Sequence, residues 1–315
     1  MEDPVYALRA SPAFAQDSIC FVARQSGLYR SDNGGQDWQP AYASLHLTDP
    51  LSTMALAVSP DFASDRCVFA GVYGGILRSS DAGQSWQTAS LPTPPPMVST
   101  LVISPCFALD GTLLAGTLED GVFRSTDRGR YWQLCNFGLL DLNIIAMAIS
   151  PDFAHDETIF AGTDSGIFCS TNGGRAWREV DFPMEAAPVI SLAISTGFTV
   201  DNKLYAGTEA AGLYHSTDRG QNWFSVGRDL LPMTINSIAL SDADLFILAD
   251  DKLLRSYDHG YSWLIKHLES TVWQGAMTLT ILDEFGDGAL LMVGLSSGET
   301  PILDIAEKGW QTILN

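Results

Sequence analysis

An octet of the form Ser-x-Asp/Asn-x-Gly-x-x-Trp occurs six times in frame, and punctuation this regular marks a repeat protein. It runs from Ser31 to Trp38, Ser79 to Trp86, Ser125 to Trp132, Ser170 to Trp177, Ser216 to Trp223 and Ser256 to Trp263. The serine, the glycine three residues before the tryptophan, and the tryptophan itself never vary. The third position is Asn33, Asp81, Asp127, Asn172, Asp218 or Asp258. A seventh tryptophan, Trp310, stands where the next repeat would put it, although the residues just before it have lost the motif.

The chemistry of the octet is that of a tight turn. Asp and Asn bond their own backbone two residues on, and glycine adopts a positive φ at no steric cost. The residues before each octet, such as Gly75-Ile76-Leu77-Arg78, read as a short strand, and the tryptophan opens the next one. Each octet is therefore a hairpin corner with a large aromatic anchor.

These corners resemble the Asp-box, or BNR, repeat of sialidases, sortilin-type receptor ectodomains, two-domain xyloglucanases and Ycf48-type photosystem II assembly factors. Six copies in register carry the resemblance over essentially the whole chain. In that family the box joins the third and fourth strands of a propeller blade, and the tryptophan packs into the blade. The resemblance implies an all-β, seven-bladed β-propeller of four-stranded antiparallel blades, each contiguous in sequence. Tryptophan spacing along the 315 residues agrees, since consecutive anchors lie 48, 46, 45, 46, 40 and 47 residues apart, against ~40–45 for a four-stranded blade. One domain is expected, with blades at approximately 1–48, 49–96, 97–142, 143–187, 188–233, 234–271 and 272–315.

A second shared stretch precedes each corner, clearest in Ala57-Val58-Ser59-Pro60-Asp61-Phe62 and Ala148-Ile149-Ser150-Pro151-Asp152-Phe153. Its apolar half is an inner strand, and Ser-Pro-Asp-Phe is a turn. Phe14, Phe62, Phe107, Phe153 and Phe198 each stand three residues before an Asp, which suggests a plugged turn. The sixth repeat is short, with a trimmed first turn at Asp242-Ala243-Asp244 and a tight second loop at Asp250-Asp251-Lys252. Repeat one begins with its own inner strand, and repeat seven reads as ending with its own outer strand, Trp310 to Leu314. No strand exchange between the termini is therefore expected.

Charge and cysteine exclude some functions. A net charge of −20 repels a phosphate backbone, so nucleic acid is not an expected partner. Five cysteines without Cys-x-x-Cys pairing signal neither a zinc site nor a disulfide framework. The octet acids lack the alternating spacing of a calcium loop, and the five histidines are scattered, so no metal or cofactor is implied. No stretch approaches the ~18 apolar residues needed to cross a bilayer. The acidic start, Met1-Glu2-Asp3-Pro4, shows no leader pattern, and the expectation is a cytoplasmic monomer unless a signal peptide has been removed.

In a four-stranded blade the octets and Ser-Pro turns share one side, which leaves the variable loops on the other. Candidate ligand or partner residues on that loop face are Tyr73, Glu119, Asp120, Phe137, Asp164, Phe182, Glu209, Asp250, Asp251 and Trp273, an acidic surface with apolar knobs. For Phe182 and Trp273, packing between blades is the alternative. Sialidase chemistry is not expected: the arginine clamp of that family has no counterpart among the thirteen arginines, most of which fall at third-strand or corner positions. The expected function is a non-catalytic scaffold that recognises a protein or peptide, possible partners including basic ones. The alternative is a glycoside hydrolase or carbohydrate-binding propeller that uses the same loop carboxylates and aromatics.

Overall fold

The octets build the corners in one repeated way. In the second, Ser79 Oγ accepts from Gly83 N–H at 2.8 Å and donates to Asp81 Oδ1 at 2.7 Å, while that oxygen also accepts from Ser85 N–H at 2.8 Å. The other five repeat the Ser-to-Gly and Ser-to-Asp/Asn bonds. Each octet serine is buried, so this network supplies the partners its hydroxyl would otherwise lack. Gly83 has φ +82°, and a Cβ there would lie 2.8 Å from Phe21 Cε1 of the preceding blade. Gly129 and Gly220 meet Phe69 and Phe160 in the same way. The invariant glycine thus answers both the turn and a close approach.

The computed structural model describes residues 2–91, 95–227, 233–242, 244–250, 252–268, 273, 275–285, 288–306 and 310–313. They form an all-β, seven-bladed propeller in which each sheet is antiparallel. In the first blade, strands Val5–Ala10, Cys20–Arg24, Gly27–Ser31 and Gln39–Pro40 lie side by side in chain order. Four further sheets repeat that order. Every inner strand carries one extra residue near its start, beginning with Tyr6, Met54 and Ser99, as a β-bulge against its neighbour. The inner strand of each blade touches those of the blades on either side, and Val5–Ala10 meets Ala276–Phe285 to close the ring.

Blade junctions are knob-and-gap contacts. Gly71 in a second strand leaves room for Val98 of the next blade, whose Cγ1 would lie 2.5 Å from an added Cβ. Gly116 faces Ile144, Gly162 faces Val189 and Gly207 faces Ile235 in the same register. The ends meet identically: Gly294 faces Val5, whose Cβ lies 2.8 Å from the built position. At the sixth blade the sizes swap, with Leu248 in the second strand and Ala276 opposite. Ring closure is therefore side-chain packing, and among the described residues no strand passes between the termini.

Two aromatic layers fill the junctions further out. In the first five blades the phenylalanine of the first turn opens a four-residue helix, Phe62–Asp65 being typical, and the closing Asp accepts from the Ser before it, Ser59 Oγ to Asp65 Oδ2 at 2.7 Å. Phe62 then meets Phe21 edge-on at 6.2 Å, Phe107 meets Phe69 at 5.6 Å and Phe198 meets Phe160 at 6.4 Å. Each fully buried ring contributes ~1.5–3 kcal/mol. The octet tryptophans form the second layer: Trp86 packs on Tyr42 of the preceding blade at 5.5 Å and donates from Nε1 to Ala41 O at 2.9 Å.

The last strand departs from expectation. Gln311–Ile313 does not complete the seventh blade but pairs with Trp263–His267 as a fifth strand of the sixth sheet, which leaves three strands in the seventh. In the other repeats the octet folds the chain back onto its own third strand; here the octet is absent. Trp310 keeps the inter-blade anchor position, with Nε1 donating to Ile305 O at 3.0 Å, and the strand after it takes the neighbouring edge. The sixth blade has the trimmed first turn, closed by Ser241 N–H to Asp244 O at 2.9 Å, and a buried bidentate pair between Arg255 and Asp244 at 2.8 Å for both bonds.

Gly294→Ala is expected to cost ~1–3 kcal/mol by overpacking the closing junction. Val5→Ala in the same chain should recover part of that, a coupling of ~0.5–3 kcal/mol readable by urea unfolding of the two singles and the double. Octet acidity gives a second test. Burial raises the Asp127 carboxyl, but bonds from Tyr131 N–H, the Ser125 hydroxyl and Arg130 N–H, with the charge of Arg130, outweigh it and leave the pKa below the ordinary value. Asp81, Asp218 and Asp258 are lowered likewise. A folded pKa below the unfolded one stabilises above the usual carboxylate range near ~4 and is lost as pH falls through the depressed value. Asp127→Asn should leave the Tm at pH 7 little changed and flatten its fall on acidification.

Candidate functional site

Hydrogen bonds divide the ring into two faces. On one, corner amides donate to first-turn carbonyls, Ala82 N–H to Arg66 O at 2.9 Å and Gly173 N–H to Glu157 O at 2.9 Å. On the other, the hairpins between second and third strands are tied to the blade-to-blade loops: Gly74 N–H donates to Pro96 O at 2.8 Å, Gly121 N–H to Leu142 O at 2.9 Å and Glu209 N–H to Pro188 O at 3.1 Å. This second face is the loop face, and its backbone is held from both directions.

The candidate residues separate once placed. Tyr73 sits at a hairpin tip, 62% exposed, bridged through its backbone to Met97. Met184, in a short helical turn of the next-but-one loop, is 81% exposed. Phe137 is also exposed, but its carbonyl accepts from Trp177 N–H at the end of an octet, so it stands on the outer flank of the ring. Phe182 is buried, in edge contact with Tyr214 at 5.2 Å and Trp223 at 5.5 Å. It is a packing residue between blades and leaves the candidate set. Trp273 is partly buried against the core shared by the sixth and seventh blades. Asp251 lies outside the described residues. Met97, at the start of an inner strand, and Met184, in a loop, were not expected; a single exposed methionine carries no sequence signal.

The carboxylates occupy separate blades. Glu119 and Asp120 stand together in one hairpin, Glu119 at φ +75°, and Asn136 clamps that hairpin by accepting from Val122 N–H at 2.8 Å and donating to Asp120 O at 2.9 Å. Asp164 accepts from Asn143 Nδ2, and its neighbour Asp141 accepts from Ser165 N–H at 2.9 Å and Asn143 N–H at 3.0 Å. Burial raises the Asp141 carboxyl, yet those bonds prevail and lower its pKa, so it is a staple between loops held as the anion. Glu209 is exposed at its own hairpin, and Asp250 sits at φ +48° in another. Among the described residues, Glu119, Asp120, Asp164, Glu209 and Asp250 make no ion pair, and no cluster of three or more His, Cys, Asp or Glu is placed to hold a metal.

The axis of the ring holds a channel of about 200 Å³ lined by the seven inner strands. Its polar side chains bind the ring together: Ser191 Oγ donates to Ile235 O at 2.8 Å and Ser99 Oγ to Ile144 O at 2.5 Å, across blade boundaries. These bonds replace ladder partners that inner strand edges lack. Among the described residues the channel lining contains no Asp, Glu, His or Cys. The cysteines are all free, and burial pushes the Cys20 thiol up to about 12 and that of Cys169 to about 11, values at which neither is a nucleophile at neutral pH.

No protein-family model matches this chain, and no curated protein sequence does. Solved structures do. The extracellular domain of BT4673 from B. thetaiotaomicron aligns at TM-score 0.70 and 16% identity, over 95% of this chain and 38% of that one. The GH74 xyloglucanase from Xanthomonas campestris aligns at 0.73 and 18%, over 96% and 52%. YCF48 bound to D1 peptide aligns at 0.69 and 16%, over 96% of this chain and 91% of that one. The chain thus spans about two fifths to one half of the first two and nearly the whole of the third. At these identities the likeness establishes the seven-bladed propeller.

Proposed function

We propose that this chain is a non-catalytic propeller that binds a protein or peptide partner on its loop face. The observation that carries this reading is the exposure of Tyr73 and Met184 on a rigid, hydrogen-bonded face, beside Glu119, Asp120 and Glu209, which have no ion pair among the described residues. Exposed apolar groups and acids without an ion pair on the same face suit a partner segment that is basic and carries apolar side chains. The Asp-box-like corners support the same class, as does the fold shared with a YCF48 that was solved with a peptide bound. Apart from Glu119 and Asp120, which are adjacent in one hairpin, the residues that would have to act as acid and base in a hydrolase are distributed over different blades, and among the described residues the axial channel lining offers no carboxylate to pair with them.

The xyloglucanase likeness keeps a carbohydrate reading testable beside it. Affinity capture with the wild-type chain, followed by quantitative binding of the captured partner, should show at least ~5-fold loss on Tyr73→Ala or Met184→Ala, the range of a centrally placed apolar anchor. Binding should also weaken as salt rises, because surface charge attraction is screened within ~10 Å at 0.1 M. Partner affinity indifferent to both substitutions would sink the assignment to this face. Release of sugar from xyloglucan that is lost on Glu119→Gln or Glu209→Gln would replace it with catalysis.

A further inference from the structure

Blade six lacks a ring that its neighbours supply. In blades two, three and five the first-turn phenylalanine carries a guanidinium over it: Arg66, Arg128 and Arg219 lie 5.6, 5.6 and 5.1 Å from the ring centres of Phe62, Phe107 and Phe198. Arg219 also comes within 4.0 Å of Asp156, the Asp that closes the first turn of the preceding blade. Ring, cation and anion there form one stack across a junction. Between blades five and six only the anion is present. Four residues, 241–244, join the inner and second strands of blade six where blade two uses nine, 59–67, and the shortening removes the phenylalanine. The octet of blade six has His259 where those of blades three and five have Arg128 and Arg219. Asp201, which corresponds to Asp156, makes no ion pair among the described residues.

The omission leaves a cavity of about 300 Å³ between the two first turns. Tyr205 closes its floor. It stands in the register of Phe21, Phe69 and Phe160, the rings that Phe62, Phe107 and Phe198 meet, and its hydroxyl donates to His259 O at 3.3 Å. Leu240 adds an apolar wall, and Asp201 and Asp242 belong to the two facing turns. Thr196, Asp242 and His259 are exposed, so the cavity opens on the octet face. Asp242, like Asp201, has no ion pair among the described residues. An aromatic side chain entering here with a cation beside it would rebuild the stack that the chain makes for itself at other junctions, the ring covering Leu240 and the charge answering the two acids. We propose that this cavity is a docking site for a partner polypeptide segment that carries an aromatic residue next to Arg or Lys. It lies on the face opposite the loop face, so its failure would leave the loop-face reading intact, and the reverse also holds.

The probe is the capped tetrapeptide acetyl-Gly-(para-fluoro-Phe)-Arg-Gly-amide, followed by its fluorine NMR line width as the chain is added at low salt. Wild type is expected to broaden the line saturably. The unlabelled peptide should reverse the broadening, and the versions with Ala in place of the aromatic residue or Glu in place of Arg should compete at least ~5-fold less well. Thr196→Trp, which puts bulk at the mouth, and Asp242→Lys, which reverses its charge, should each weaken binding by at least ~5-fold. Both positions are exposed, so both variants should fold, with a Tm near that of wild type as the check. No saturable broadening by wild type, equal broadening by wild type and both variants, or equal competition by the Ala or the Glu peptide overturns the proposal.

Discussion

At five of the seven blade junctions the following blade pushes a branched side chain into a gap where a Cβ is missing. Val98 against Gly71, Ile144 against Gly116 and Ile235 against Gly207 are the same contact repeated, and Val5 against Gly294 is that contact made between the two ends of the chain. Dispersion falls steeply with separation, so a fit of this closeness sets the tilt of one sheet on another more firmly than a larger, looser patch would. The octets act on the same boundary from outside. Their glycine admits a side chain of the preceding blade, a second-strand phenylalanine in three of the six, and Trp86 packs on Tyr42 of the blade before it, so a motif that looks like local turn chemistry is also an inter-blade contact.

The corners were legible because their chemistry is local. Ser79, Asp81 and Gly83 interact within five residues of one another, and that spacing is written in the chain. The first turns were half legible: the recurrence of Asp three residues after Phe62 and its equivalents was visible, and the structure supplies its reason in the bond that the Ser59 hydroxyl donates to Asp65. The Gly294–Val5 contact was not legible, because its partners lie at opposite ends of the sequence and neither is unusual by itself. The last strand failed for a different reason. Trp310 sits at the expected interval and at the expected junction, but interval alone does not say which of two adjacent sheet edges the following residues will join once the octet that normally decides it is gone.

The candidate site shows the same division. Tyr73, Glu119 and Glu209 could be assigned to the loop face because hairpin order along the chain dictates the side on which they emerge. Phe137 and Phe182 could not, since both belong to long blade-to-blade loops whose path depends on tertiary contacts. One is drawn outward by Trp177 N–H and the other inward onto Tyr214 and Trp223. The acids divide again by what they bond. Asp141 is consumed in joining two loops, while Glu119 and Glu209 make no ion pair among the described residues.

The extra residue near the start of every inner strand has its own consequence. Seven strands here present an unpaired edge to the middle of the ring, the arrangement that elsewhere invites a foreign strand to add on. A bulge at the same point in all seven coils each edge and interrupts its run of evenly spaced amides and carbonyls. The ring can therefore keep its hub open to water and small solutes without turning that hub into a template for polymerisation.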